Sequence, residues 1–431
     1  MKEIDFEHLC YASWQPNEPL KLRKDIFTIE LNAKKYSGEA EVWVRLLPKA
    51  KLEIKTKLSN GGEFGDFLNT NNARFYIGKN SVEIPGFFTS ISGDSMTWVP
   101  KSEPIFLDHG VTSINLLTFH LFNFINFIGM RRSIVMHWGD WKIEIRSLTS
   151  TVETFKYLKE KGGYGLTHVG CLRKSNGDLL SDQDAKNIME ALRYFFSFAN
   201  GSQCSPVVFQ GFDDDCNKIW ESWNSPDEPW HEKVSWLNHH NMNQLADLFP
   251  LFMDKWEDES WRAAFHDVIY WYLRSNFSSH GIDVGIILTQ TAIERLSFEY
   301  AVQYKKLISS EGFKKLWASD KFRLLFSSLE IPIDIPIILS KMHGLAQKSN
   351  FSDAPHILTE LRNLLVHPDN KSKINLNEII CDTWNLGLWY LEMTLLRLCG
   401  YDGKYHNRLK LGLGWDGEEE SVPWNKNVSN K

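Results

Sequence analysis

Residues 362–368 read Arg362-Asn363-Leu364-Leu365-Val366-His367-Pro368. Upstream, Ile357, Leu358, Leu361, Leu364 and Leu365 recur at helical spacing, which predicts an amphipathic helix carrying Arg362 and Asn363 on its polar side. Pro368 disfavours the α conformation at the residue before it, so the helix should stop there. His367 then sits at the frayed end, its imidazole able to turn toward Arg362. Arg362 is an always-charged fork that grips phosphate, and a histidine can titrate near neutrality. The pair is the minimum set for cutting RNA without a metal. The same residues also admit a structural use, with Arg362 and Asn363 as surface decoration and His367 capping the helix end.

Around this stretch the C-terminal part of the chain reads as helical from about residue 243 onward. The segment 282–296 has the pattern of a core helix and carries Glu294, four residues after Gln290. A carboxylate buried there without a partner is costly, which leaves a hydrogen bond or ion pair with Arg362, or an exposed Glu294 beside Arg295. The last large helix is expected to start after Asn377 and to end at Gly400. On it, Trp384, Leu388, Leu391, Leu395 and Leu398 alternate spacings of four and three, as the core of a bundle or as a heptad-like dimer seam.

The first half has a different period. Segments 27–31, 40–47, 51–58, 74–78 and 142–145 alternate apolar and polar residues between Gly, Asn, Ser and Pro clusters, the pattern of strands. Gly139-Asp140 joins 134–138 to 141–145 as a two-residue hairpin turn. After it, Ser181 or Asp182 can cap a helix whose apolar face is Ile188, Met189, Leu192, Phe195 and Phe196, flanked by strands at 167–172 and 207–211. The expected fold is an α+β multidomain chain: an antiparallel β sandwich or barrel over 1–150, a mixed α/β region over 151–242, an all-α helical bundle over 243–412, and a polar tail over 413–431.

Composition agrees with several packed domains: 431 residues exceed one ordinary core, and 43% apolar with 24% charged residues is the usual balance of a globular protein. The 17 tryptophans imply generous cores or stacking surfaces. The six cysteines, at 10, 171, 204, 216, 381 and 399, contain no CxxC pair, which fits reduced thiols and a cytoplasmic setting. The N-terminus lacks signal-peptide features. The apolar stretch 116–130 is interrupted by His120, Asn123 and Asn126 and is too short for a bilayer, so a buried strand or helix is expected and no membrane partner. Net charge is -6, yet residues 260–415 carry 18 Lys and Arg against 15 Asp and Glu, a mild lean toward nucleic acid in the C-terminal half. Asp213-Asp214-Asp215 lacks the alternating ligands of a calcium loop and reads as a solvated turn, and His239-His240 as an exposed loop. No GxSxG, HExxH, Walker loop or GxGxxG is present, and neither metal nor cofactor is expected.

Taken with its context, the Arg362-Asn363-x-x-x-His367 arrangement resembles the signature of the HEPN superfamily, whose active members are metal-independent ribonucleases working as dimers. Segment 282–296 resembles that family's earlier core helix with its acidic position, here Glu294, and 313–316, 321–325 and 331–336 resemble the connecting segment of one bacterial branch. Gly163-Tyr164-Gly165-Leu166-Thr167-His168-Val169-Gly170, Phe195-Phe196-Ser197-Phe198-Ala199-Asn200-Gly201 and Gln210-Gly211-Phe212-Asp213 look like the YopA central domain, found with ApeA-like defence proteins. The likeness covers roughly residues 150–412.

The resemblance implies RNA transesterification: His367 takes the 2′-hydroxyl proton, Arg362 binds the phosphate, and Asn363 holds the phosphate or orients His367. It further implies a homodimer through the helical half, with RNA as substrate and the N-terminal regions as a sensor that restrains the nuclease until a signal such as a phage-derived one arrives. The competing reading keeps the same fold as a non-catalytic module that binds RNA, a nucleotide or a partner protein, since the same residues hold phosphate as well as break it.

Overall fold

A computed structural model describes residues 6–59, 73–107, 110–127, 132–277, 279, 281–367, 378–410 and 418–425. Its first seven strands are β1 (Leu20–Leu31), β2 (Lys34–Arg45), β3 (Lys51–Leu58), β4 (Arg74–Ile77), β5 (Val82–Glu83), β6 (Gly86–Ser92) and β7 (Ser95–Pro100), and they form an antiparallel sheet in the order β5-β4-β1-β2-β3-β7-β6. A second antiparallel sheet follows, built from β8 (Ile105–Leu107), β9 (Leu116–Phe122), β10 (Ser133–Trp138), β11 (Trp141–Ser147), β12 (Leu166–Lys174), β13 (Val207–Phe212) and β14 (Lys218–Trp223), in the order β10-β11-β12-β9-β13-β14-β8. This sheet takes strands from both sides of residue 150, with β12 inserted between β11 and β9.

Period-two alternation turns one face of each strand inward. Ala40, Val42 and Val44 of β2, Phe27 and Ile29 of β1 and Leu52 and Ile54 of β3 meet Leu116, Phe122, Val169 and Val207 of the second sheet in a shared core. The two antiparallel sheets thus pack on one shared core; the expectation of a β unit closed within residues 1–150 is corrected, because β12, β13 and β14 complete the second sheet from beyond 150. The opposite face of the second sheet carries Leu117, Phe119, Leu121, Met136, Ile143 and Phe209 into another core, shared with the helices. Strand β9 therefore faces apolar layers on both sides and is buried at every position, which is why its sequence reads as a continuous apolar run. Between β10 and β11, Trp138 pairs with Trp141 and Gly139 adopts φ +51°, the conformation a type II′ turn asks of its first central residue.

The helices are α1 (Thr151–Lys161), α2 (Asp182–Asn200), α3 (Asn243–Glu257), α4 (Glu259–Asn276), α5 (Ile282–Phe298), α6 (Ser310–Lys315), α7 (Ala318–Ser328), α8 (Ser340–Ser349), α9 (Ala354–Val366) and α10 (Ile380–Cys399). Ser181 caps α2 through a reciprocal capping box with Asp184, and Gly201 ends it in the left-handed region. The apolar face of α2 lies under the second sheet and against α3 and α4, so the helical region has no core separate from that sheet. Trp138 Nε1 donates to Asp254 at 2.7 Å, a further tie between sheet and helices.

Helix α10 ends at Gly400 as its sequence indicated. Its stripe is not a dimer seam: Leu388, Leu391, Leu395 and Leu398 are buried within the chain, and half-buried Trp384 donates to the Ser275 carbonyl. The cause is that α10 packs against α3, α4, α5 and α9 together, which leaves little of it outward. Within 413–431, strand β16 (Glu420–Ser421) pairs with β15 (Lys404–Tyr405), and buried Trp424 donates to the Tyr401 carbonyl. Pro368, Asn377, Trp415 and the end of the 116–130 stretch lie outside the described residues. Among the described residues no helix is long and apolar enough to cross a membrane.

Candidate functional site

Helix α9 is anchored at its start and open at its end. Asp353 caps it by accepting from the His356 N–H, and Pro355 fits the first turn, where its missing N–H costs nothing. Arg323 of α7 grips the same carboxylate, with Nε at 2.6 Å and Nη2 at 3.0 Å, so the cap is locked to the neighbouring helix. Ile357, Leu358 and Leu361 enter the core. Gln290 of α5 donates from Nε2 to the Leu358 carbonyl at 2.5 Å.

The other end of α9 presents the predicted residues. Arg362 and Asn363 are half-buried neighbours, with Arg362 Nη1 donating to Asn363 Oδ1 at 3.4 Å. His367 is exposed, has extended backbone at φ -113° and ψ 100°, and donates its N–H to the Asn363 carbonyl at 2.9 Å. The helix thus stops at the residue that the sequence indicated. Through side chains the structure brings together Arg362 and Asn363; His367 joins them through its backbone. Among the described residues Arg362 has no carboxylate partner.

Glu294 does not pair with Arg362. It forms an ion pair with Lys321, because α5 packs on α7 at that level, and the α5 residue that reaches α9 is Gln290, one turn earlier. Lys321 is nearly buried while Glu294 stays about half exposed, so the pair sits at the edge of the bundle.

Among the described residues no group of three or more His, Cys, Asp or Glu is placed to hold a metal ion. Asp213 instead closes a turn: its Oδ1 accepts from the N–H groups of Asn217 at 2.8 Å and Asp215 at 3.0 Å, and these bonds hold its carboxyl below the usual range.

Two polar assemblies escaped the sequence reading. In the helical region, Arg408 makes a bidentate pair with Glu392 at 2.6 and 3.0 Å, Tyr272 donates to the same carboxylate at 2.6 Å, and Arg408 also donates to Asn276 Oδ1 and the Val234 carbonyl. The second is a cavity of about 390 Å³ walled by Trp230, Lys233, Asn238, His239 and His406. None of Arg362, Asn363, His367 and Glu294 lines it. His239, expected in an exposed loop, is open to solvent on one side and forms part of this wall. No local pattern marks either assembly, since each joins residues far apart in the chain.

Residues 110–233 match the family model of the YopA central domain, and residues 258–420 match that of the YopA C-terminal domain. Lys233 is the last residue of the first match, while Arg362, His367 and His406 fall within the second. The chain is 29% identical over 447 residues to the SPbeta prophage-derived uncharacterized protein YopA of Bacillus subtilis (strain 168), across 98% of this chain and 99% of that relative. No solved structure matches the chain. Two domains matched in order and a relative aligned from end to end together support the YopA family for this protein.

Proposed function

We propose that the chain is a metal-independent endoribonuclease of HEPN type, with Arg362, Asn363 and His367 as its working residues. One observation carries the reading: Arg362 and Asn363 are held side by side at the open end of α9 next to exposed His367, and no carboxylate among the described residues claims the Arg362 guanidinium. An arginine fork held there without an anion is set to receive a phosphate. His367 accepts the 2′-hydroxyl proton, the 2′-oxygen forms a bond to phosphorus, and the bond from phosphorus to the 5′-oxygen breaks. Arg362 offsets the charge that develops on the phosphoryl oxygens. The products are a 2′,3′-cyclic phosphate and a 5′-hydroxyl, whose proton comes from the corresponding histidine of a second copy in a homodimer. With α10 consumed by the chain's own core, the dimer surface would lie around the end of α9, where Val366 is exposed.

In this reading the β sandwich and the middle region act as a sensor that restrains the nuclease, in an antiviral role suggested by the resemblance to ApeA-like proteins. The helices share their core with the second sheet, so the working unit is the full chain and not a helical fragment. A second reading, a module that binds RNA without cutting it, is favoured by the His367 imidazole, which no side chain among the described residues orients through a hydrogen bond. The test is incubation of the full-length protein with mixed RNA in EDTA. Cleavage should persist with chelator and stop in His367→Ala and in Arg362→Ala; cleavage that needs magnesium, or that survives both substitutions, overturns the assignment, and binding without cleavage selects the second reading.

A further inference from the structure

The cavity walled by Lys233 and His406 lies where the two matched domains meet, since Lys233 closes the central domain and His406 belongs to the C-terminal one. Ile125 and Asn126 beyond β9, Phe155 and Lys159 of α1 and segment 230–239 complete it. His406 is tied to that segment by its N–H, which donates to the Trp236 carbonyl at 2.7 Å.

Its lining is one-sided in charge. Lys159, Lys233, His231, His239 and His406 face one carboxylate among the described lining residues, Glu232. The Lys233 ammonium donates to the Asn123 carbonyl and to Ser202 Oγ, each at 2.9 Å, which accounts for two of its three N–H groups. Burial lowers it to about 8, so it remains mostly protonated at neutral pH. His239, although partly open to solvent, is pushed down to about 4, first by lost hydration of its ring and then by the charges of His406, His240, Lys233 and Lys159. His406 is lowered as well, by burial. His239 and His406 are therefore neutral rings in this cavity, able to gain protons beside an anion, and the standing positive charges of the lining are Lys159 and Lys233.

A second observation points to a missing acceptor. Asn238 is fully buried on the cavity wall, and its Oδ1 accepts from the His240 N–H at 2.8 Å, which fixes the amide's orientation. Its Nδ2 donor has no hydrogen-bond partner. Buried donors are almost always paired, so this donor, closed to solvent just behind the cavity wall, would gain its missing acceptor from a ligand oxygen only if the wall gives way slightly. The remaining wall is apolar, with Trp230, Phe155, Ile125 and Leu237, and the volume falls in the range of small-molecule sites.

We propose that this cavity binds a small ring-bearing phosphate, of the class of a nucleoside monophosphate, at the junction of the two matched domains. The phosphate lies against Lys233, His239, His406 and the Asn238 amide, and the ring lies against Trp230 and Phe155. Such a ligand touches both domains at once. The inference does not depend on cleavage at α9, and its readout is binding alone.

The experiment titrates the full-length protein calorimetrically with the four ribonucleoside 5′-monophosphates, with inorganic phosphate and with adenosine. At least one monophosphate should bind once per chain. His239→Ala and Lys159→Glu, both exposed positions expected to leave the melting temperature unchanged, should each weaken it by about tenfold or more, the first by removing a hydrogen bond to the anion and the second by reversing a charge. Arg362→Ala should leave it intact. Absence of binding by all four monophosphates, or binding unchanged in both variants, would overturn the site. Inorganic phosphate matching the nucleotides would remove the ring, and adenosine matching them would remove the anion; either result rejects the ligand class. Loss of binding in Arg362→Ala would move the site to α9 and reject the cavity.

Discussion

Arg408 and Arg362 both lie within the C-terminal matched domain, and they differ in what their guanidinium groups touch. Arg408 is buried with Glu392, Tyr272, Asn276 and a backbone carbonyl around it, so the chain satisfies it from within. Arg362 is half-exposed and touches one side-chain amide. A buried guanidinium without a counter-charge is strongly destabilising, so Arg408 finds its partners in the chain. Arg362 keeps its hydration and bears no such demand. The contrast separates an arginine that holds the fold from one that is available to an outside anion.

The sharpest attempt to break this contrast is chemical. Replacing His367 or Arg362 with alanine should lower RNA cleavage in EDTA by about 10²–10⁴-fold while leaving the urea midpoint nearly unchanged, within about 0.5 kcal/mol. Retained cleavage would return Arg362 to surface decoration. Next in size is the buried counterpart. Arg408→Met or Glu392→Gln leaves one charge or one acceptor set uncompensated and should cost about 3–5 kcal/mol in denaturant titration, against the small change in Arg362→Ala. If the two arginines proved equally dispensable for stability, the distinction would fail.

Imidazoles show the same division and extend it to pH. His120 accepts the Tyr11 N–H at Nε2 and donates from Nδ1 toward the Val208 carbonyl at 3.2 Å, a geometry that suits the neutral ring. Burial lowers His120 to about 4 and His168 to about 3 from the ordinary 6.5, whereas His367 stands in solvent. Between 6.5 and 4 the unfolded chain takes up protons that the folded chain refuses, so stability present above pH 6.5 is lost as pH falls. The loss should reach about 2 kcal/mol per histidine at pH 5, read from urea midpoints, and His367→Ala should not alter it. An acid-insensitive midpoint would show that the two buried rings take up protons in place. The smallest effect belongs to the edge pair: Lys321→Gln should change stability by about 0.2–1 kcal/mol, and a larger loss would mean that Glu294 matters more to the bundle than its exposure suggests.

Much of this architecture was legible locally. The Ser181 cap, the Gly139-Asp140 turn, the stop at His367 and the end of α10 at Gly400 each depend on a few consecutive residues whose conformational preferences act over one turn of chain. Burial at Leu116 was legible as an apolar run, but the run left strand and helix open, and the reason for it, two apolar layers on either side, was not legible. Glu294 shows the limit. Residues 290 and 294 occupy adjacent turns of α5 and periodicity treats them alike, yet the crossing of α9 falls at Gln290 and that of α7 at Glu294.

By itself the sequence determined that the first half is strand-rich and the chain after about residue 243 helical, where several of these elements cap and turn, and that Arg362, Asn363 and His367 share one helix end, because hydrogen bonding along a helix and alternation along a strand are set by near neighbours. Only the tertiary structure decided that β12 enters between β9 and β11, that the heptad stripe of α10 is core and not seam, and that Lys233, His239 and His406 share one cavity. Those outcomes depend on how apolar faces are shared among distant elements, and burial rewards total area without leaving a local mark of which face meets which.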